Sequence, residues 1–258
     1  MPPKIQVTTD HGIAHIVLAN PEKLNAIDFD AGQEFRDACI SSMSAGEVRV
    51  ILLTALGPAF CVGGDLLAMA HAEVSGTQVT DAAHIIHEGI AALVGSSKPV
   101  VAAVRGAVAG GGIGLMLAAD YVVAGADLRV AGSYADVGLT PDLGVSTLLT
   151  RAVGERRALE ILLGRRELDA KTAHEWGMVA EVTDDPDGRA TAIAQQWAEG
   201  PSRALGDAKR LVRASGRRDF AVSLADEASS IGAAFDGDEA RQRIEAFAAA
   251  SAARGAKR

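Results

Sequence analysis

A chain of 258 residues with 48% hydrophobic and 22% charged residues has the make-up of a globular protein with a sizeable core, which excludes disordered and collagen-like classes. Its 25 Lys and Arg against 33 Asp and Glu give a formal charge of −8, arguing against nucleic acid and anionic membranes as partners. Two cysteines, Cys39 and Cys61, are too few for a disulfide framework, the N-terminus lacks an apolar leader, and the longest uncharged apolar run, 106–119, falls short of the about 20 residues that a membrane span needs, so a cytoplasmic protein is expected.

Residues 5–9 and 13–19 read as β-strands joined by the hairpin turn Asp10-His11-Gly12, and Asn20-Pro21 ends the second. Asp28 is set to cap a helix in which Phe35, Cys39 and Met43 recur every four residues. Residues 48–55 form a buried strand that runs into a glycine-broken loop at 57–64. Residues 71–80 read as a mobile loop, after which Asp81 caps a helix with Ile86, Ile90 and Leu93 on its apolar face. Lys98-Pro99 leads into strand 100–104, a glycine-rich turn, the helical run 111–119 and short strands at 121–124 and 128–131. Such apolar strands alternating with helices specify an α/β core with a largely parallel sheet. From about residue 144 the period is helical almost throughout, over 155–163, 187–199, 202–214, 220–235 and 238–250. This divides the chain into a core, 1–198, and a C-terminal helical region, 199–258. On the helix 220–235, Phe220, Leu224, Ala228, Ile231 and Phe235 make a stripe that must cover the core or a neighbouring subunit.

Two segments carry chemistry. In Ala59-Phe60-Cys61-Val62-Gly63-Gly64-Asp65-Leu66 a strand ends, the backbone passes two glycines, and Asp65 can cap a short helix. N–H groups exposed at a helix start make an oxyanion site, although a plain tight turn has the same residues. In 105–114 (RGAVAGGGIG) the glycines follow a buried strand and open a helix, letting the backbone approach a ligand. Their spacing is not GxGxxG, and neither GxxxxGK[ST] nor GxSxG occurs, so dinucleotide, P-loop and nucleophile-elbow chemistries are set aside.

Together these segments resemble the crotonase superfamily, the enoyl-CoA hydratase/isomerase family, over nearly the whole chain. NPEKLNA (20–26) is similar to that family's N-terminal coenzyme A-binding segment, while AFCVGGDL (59–66) and KPVVAAVRGAVAGGGIGL (98–115) are similar to its two oxyanion segments. VGLTPDLG (137–144), RAVGERRALEILLGRRELDA (151–170) and EWGMV (175–179) continue the match in order. The resemblance implies a crotonase-like spiral of ββα units with a C-terminal helical trimerisation region, giving a homotrimer or a hexamer as a dimer of trimers. It implies an acyl-CoA thioester as substrate, no metal, and no cofactor beyond the coenzyme A carried by the substrate. The thioester carbonyl would accept from the N–H groups of Gly64 and Gly111, with Lys23, Leu24, Ala26, Asp65, Leu66 and Tyr134 contacting the substrate. The basic cluster Lys209, Arg210, Arg213, Arg217 and Arg218 is the natural partner of the coenzyme A phosphates.

The resemblance also puts the two glutamates of family hydratases at Gly114 and Tyr134. A glycine moves no proton, and a phenol with a pKa near 10 is a poor base. Asp142 falls where some family isomerases carry a catalytic acid residue, and one carboxylate suffices for a 1,3-proton shift. The same aspartate could instead cap the helix that follows it. Asp136 is a rival if the match slides by two residues, or it pairs with a nearby Arg. The favoured expectation is therefore an enoyl-CoA isomerase using Asp142. The alternatives are a hydratase or other superfamily reaction using Tyr134 or Asp136, and a non-catalytic acyl-CoA binder. His84, His87 and Glu88 read as a solvated helix face rather than metal ligands, Asp65 and Asp120 as caps, and Cys61 as a thiol without a base.

Overall fold

The computed structural model describes residues 2–216 and 218–255. Strands β1 (Ile5–Asp10) and β2 (Ile13–Leu18) pair antiparallel around His11 and Gly12, both at positive φ (47° and 79°), as a two-residue hairpin loop demands. Helix α1 (Phe29–Ser44) starts where Asp28 accepts the Ala31 N–H, and it buries Phe35 and Cys39.

From there the chain repeats one move: a strand in a first sheet, a short strand in a second, then helix. The first pass is β3 (Val50–Ala55), β4 (Ala59–Cys61), α2 (Leu66–His71) and α3 (Gly76–Gly95). The second is β5 (Val100–Val104), β6 (Ala107–Ala109) and α4 (Gly112–Ala118). The third is β7 (Tyr121–Gly125), β8 (Arg129–Ala131), α5 (Val145–Val153) and α6 (Glu155–Leu163). After β9 (Glu167–Asp169), α7 (Ala170–Glu175) and β10 (Glu181–Thr183) come four helices, α8 (Pro186–Glu199), α9 (Ser202–Ser215), α10 (Phe220–Phe235) and α11 (Asp238–Gly255). The six-stranded sheet runs β1-β2-β3-β5-β7-β10, parallel from β2 onward. The four-stranded sheet runs β4-β6-β8-β9, antiparallel only at its last pair. This is the expected α/β spiral of ββα units.

β5, and β3 but for Thr54, are apolar along their length because both faces are covered. One face joins the main core, where Leu53, Phe60, Ile113 and Met116 are fully enclosed with Phe35. The other packs Val101 and Val123 on Ile193 and Ala194 of α8. No helix of the described residues is long and apolar enough to cross a membrane.

Three expectations need correction. Helix α3 begins at Gly76, not at Asp81, because Ser75 and Gln78 close a reciprocal capping box; His71 ends α2, only 72–75 separates the two helices, and Asp81 sits inside the second. Asp120 caps nothing: its carboxylate accepts the Val100 N–H and lies 2.9 Å from both Lys209 and Arg213, tying α9 to the sheet. The region after 144 also contains the three-residue strands β9 and β10, which complete the two sheets.

Candidate active site

The two glycine segments leave adjacent parallel strands, β4 and β6, and meet. A Cβ on Gly63, which has φ +91°, would lie 3.0 Å from the Ala109 carbonyl and 3.1 Å from the Gly111 nitrogen. At φ +91° only glycine is unstrained, and only glycine allows this approach. Beside it, Ile27 donates to the Gly63 carbonyl and accepts from the Asp65 N–H, so the Gly64 peptide is held from both sides. The N–H groups of Gly64 and Gly111 themselves donate to no protein acceptor among the described residues. Gly111 forms the start of α4, a helix buried along its whole length, whose positive end faces the same region.

Asp142 closes this site. Its Oδ1 accepts the Tyr134 hydroxyl at 2.6 Å and lies 3.3 Å from where a Gly111 Cβ would stand. Its own N–H donates to the Tyr134 oxygen at 3.3 Å. The carboxylate does not cap α5, whose first N–H, that of Val145, is taken by the Asp142 main-chain carbonyl. A space of about 50 Å3 is walled by Asp142, Leu143 and Gly64 together with Ile27, Met69 and Ile86. It shares Asp28, Phe29 and Met69 with a neighbouring cavity of about 230 Å3. Tyr134 is buried, and burial followed by the Asp142 carboxylate pushes its phenol up, so it is a donor here and not a base. Cys61 is also buried, its thiol pushed up to about 12 by desolvation, with its sulfur accepting the Gly63 N–H. Such a thiol is no nucleophile.

The rival carboxylate points elsewhere: Asp136 pairs with Arg165 at 2.6 Å on the surface. Gly114 has no room for any side chain, since a Cβ there would stand 2.0 Å from the Leu143 carbonyl oxygen. Leu143 in turn lies in the left-handed region, φ +48°, and donates its N–H to His87 Nε2 at 3.0 Å. His87 is therefore not the merely solvated residue that its helical spacing suggests. No periodicity could have revealed a contact between residues 56 apart.

The segment 20–26 leads into Ile27 of the cavity wall. Asn25 is buried, donating to the Leu56 and Ala59 carbonyls and accepting from the Asn20 N–H, which locks a turn with Leu24 and Asn25 at positive φ. Lys23 lies 2.6 Å from Asp65, and Asp65 accepts the Ala68 N–H as the cap of α2. Lys23, Leu24, Ala26 and Leu66 do not line the small cavity, and Tyr134 reaches it only through Asp142. The basic cluster on and just after α9 pairs with carboxylates of the same chain: Lys209 and Arg213 with Asp120, Arg210 and Arg218 with Asp226. Arg217 lies outside the described residues.

The enoyl-CoA hydratase/isomerase family model matches residues 8–253. Among curated relatives, a trans-2-decenoyl-[acyl-carrier-protein] isomerase of Streptococcus mutans is 33% identical over 183 residues, 70% of each chain. A 4-chlorobenzoyl coenzyme A dehalogenase of an Arthrobacter species is 33% identical over 213 residues, covering 81% of this chain and 77% of that one. The solved structure of an enoyl-CoA hydratase from a Polaromonas species superposes with a TM-score of 0.89 at 29% identity, over 95% of this chain and 96% of the other.

Proposed function

The chain belongs to the enoyl-CoA hydratase/isomerase family, and on that footing we propose that it shifts the double bond of an enoyl-CoA thioester, with Asp142 as the single proton shuttle. The observation that supports this most is that the Asp142 carboxylate lies beside Gly111 and shares a cavity wall with Gly64, two glycines whose N–H groups have no protein partner among the described residues, while Gly114 has no space for a second acid. In a 3-enoyl-CoA the C2–H bond is acidified by the carbonyl on one side and the C3=C4 bond on the other. Asp142 takes that proton, and charge spreads from C2 to C4 and onto the thioester oxygen. The Gly64 and Gly111 N–H groups hold that oxygen; each such donor contributes roughly 3–4 kcal/mol to the transition state. The carboxylic acid then returns its proton to C4, leaving the C2=C3 product and the original carboxylate. Tyr134 holds Oδ1 throughout, so Oδ2 is the oxygen free to carry the proton.

The experiment is to incubate the purified protein separately with 3-enoyl-CoA, 2-enoyl-CoA and 4-chlorobenzoyl-CoA. Appearance of conjugated thioester absorbance from the 3-enoyl substrate without a change in mass supports the reading. Gain of water by the 2-enoyl substrate, exchange of chlorine for hydroxyl, or tight binding with no conversion each overturns it in favour of a hydratase, a dehalogenase or an acyl-CoA binder.

A further inference from the structure

We propose that His87 is a positioning residue: its neutral imidazole accepts the Leu143 N–H and thereby sets the turn that carries the Asp142 carboxylate. A backbone N–H only donates, so at 3.0 Å the Nε2 must present its lone pair, and the ring proton sits on Nδ1. The turn needs the help. Leu143 and Gly144 follow one another in the left-handed region, at φ +48° and +77°, which a leucine adopts only when its surroundings impose it.

Those surroundings are specific. The Leu143 side chain fills the space beside Gly111, its carbonyl lies against Gly114, and its N–H has no partner but His87 among the described residues. Leu143 is buried, so water does not replace that partner without rearrangement. His87 stands on α3 next to Ile86, which walls the cavity, so the long helix ties the turn to the cavity wall. Without the imidazole, Leu143 relaxes towards ordinary backbone angles, and the carboxylate one residue earlier leaves its place beside Gly111. The inference rests on Asp142 being the base, but the contact itself is measurable apart from catalysis.

The test compares His87→Ala, His87→Gln and, as a control on the same helix, His84→Ala. The glutamine carbonyl reaches about as far as Nε2 and accepts the same N–H, yet it cannot act as a base. Expected for His87→Ala is a kcat for 3-enoyl-CoA lower by ~10-fold or more, with KM little changed, since misplacing a reacting group costs turnover rather than binding. Deuterium uptake in the peptide 139–148 should also rise. His87→Gln should restore most of the kcat and native uptake, and His84→Ala should match the wild type. If His87→Gln is as slow as His87→Ala while uptake stays native in both, the imidazole joins the chemistry directly and the positioning role is overturned. Unchanged uptake and kcat in His87→Ala overturn it as well. Should the wild-type protein not isomerise 3-enoyl-CoA at all, the reading of Asp142 falls, and deuterium uptake alone still decides for or against His87.

Discussion

Asp142 is a short side chain made useful by its neighbours. Tyr134 holds one oxygen, Gly111 leaves space beside it, and the Asp142 carbonyl rather than its carboxylate caps α5. Asp142→Asn keeps the shape but removes the proposed base, so the proposed isomerisation of 3-enoyl-CoA should fall by on the order of 10²-fold or more while acyl-CoA affinity holds within a few-fold. Calorimetry and the absorbance assay together read both quantities. Asp136→Asn is expected to behave as wild type, because that carboxylate faces Arg165; loss of activity there with Asp142→Asn still active would move the mechanism to Asp136. Gly114→Glu should not create a hydratase. Its Cβ would collide with the Leu143 carbonyl, so the variant should lose stability by ~1–3 kcal/mol or more, as overpacked cores do, and its urea midpoint should drop. The glycines and Asp142 could be picked out in the sequence because the family resemblance runs through the compact motifs that hold them. The Tyr134 hydroxyl bond, the Leu143 turn and His87 were not, because each depends on where distant segments meet.

Strands and long helices announce themselves by apolar runs and period, so β5 and α10 could be read to the residue, β3 to within two residues of its start, and the start of α1 from its cap. Elements of three residues, such as β9 and β10, are too short for a period and exist only because a neighbouring strand supplies their partners. Helix α2 is a similar case at six residues, and it depends on its cap. Burial alone would raise the Asp65 carboxyl, but the bonds from Lys23 and the Ala68 N–H outweigh it and hold the group below its ordinary value. A carboxyl depressed in the folded state contributes stability that is complete above the unfolded pKa of about 3.9 and is lost as pH falls through the folded value. Asp65→Asn retains a capping oxygen and removes the charge. The wild-type protein should therefore be more stable than Asp65→Asn at neutral pH, and the gap between their urea midpoints should close below about pH 4. A gap that persists at low pH would mean that the Lys23 ion pair contributes nothing to the hold on α2.

At the scale of the molecule, the chain has more surface than one copy should. It exposes 13559 Å2, whereas a compact monomer of its 26.5 kDa mass would expose about 10,700 Å2 by the usual scaling of surface with mass. The excess of about 2,900 Å2 exceeds what one partner buries in a standard protein interface, about 800 Å2. Much apolar surface stands on the last two helices: α10 buries no residue, and Phe220, Ile231 and Phe235 are 75%, 71% and 66% exposed. The stripe on α10 therefore does not cover its own core, and a second copy is the cover that needs no other molecule. The expectation is a sedimentation coefficient for three or six copies, with mass about 80 or 160 kDa, at micromolar protein. Phe220→Asp with Ile231→Asp should shift that species towards the monomer while far-UV circular dichroism stays native, because neither side chain supports the spiral. A wild-type protein that sediments as one 26.5 kDa chain under the same conditions would leave the stripe to a partner of different kind.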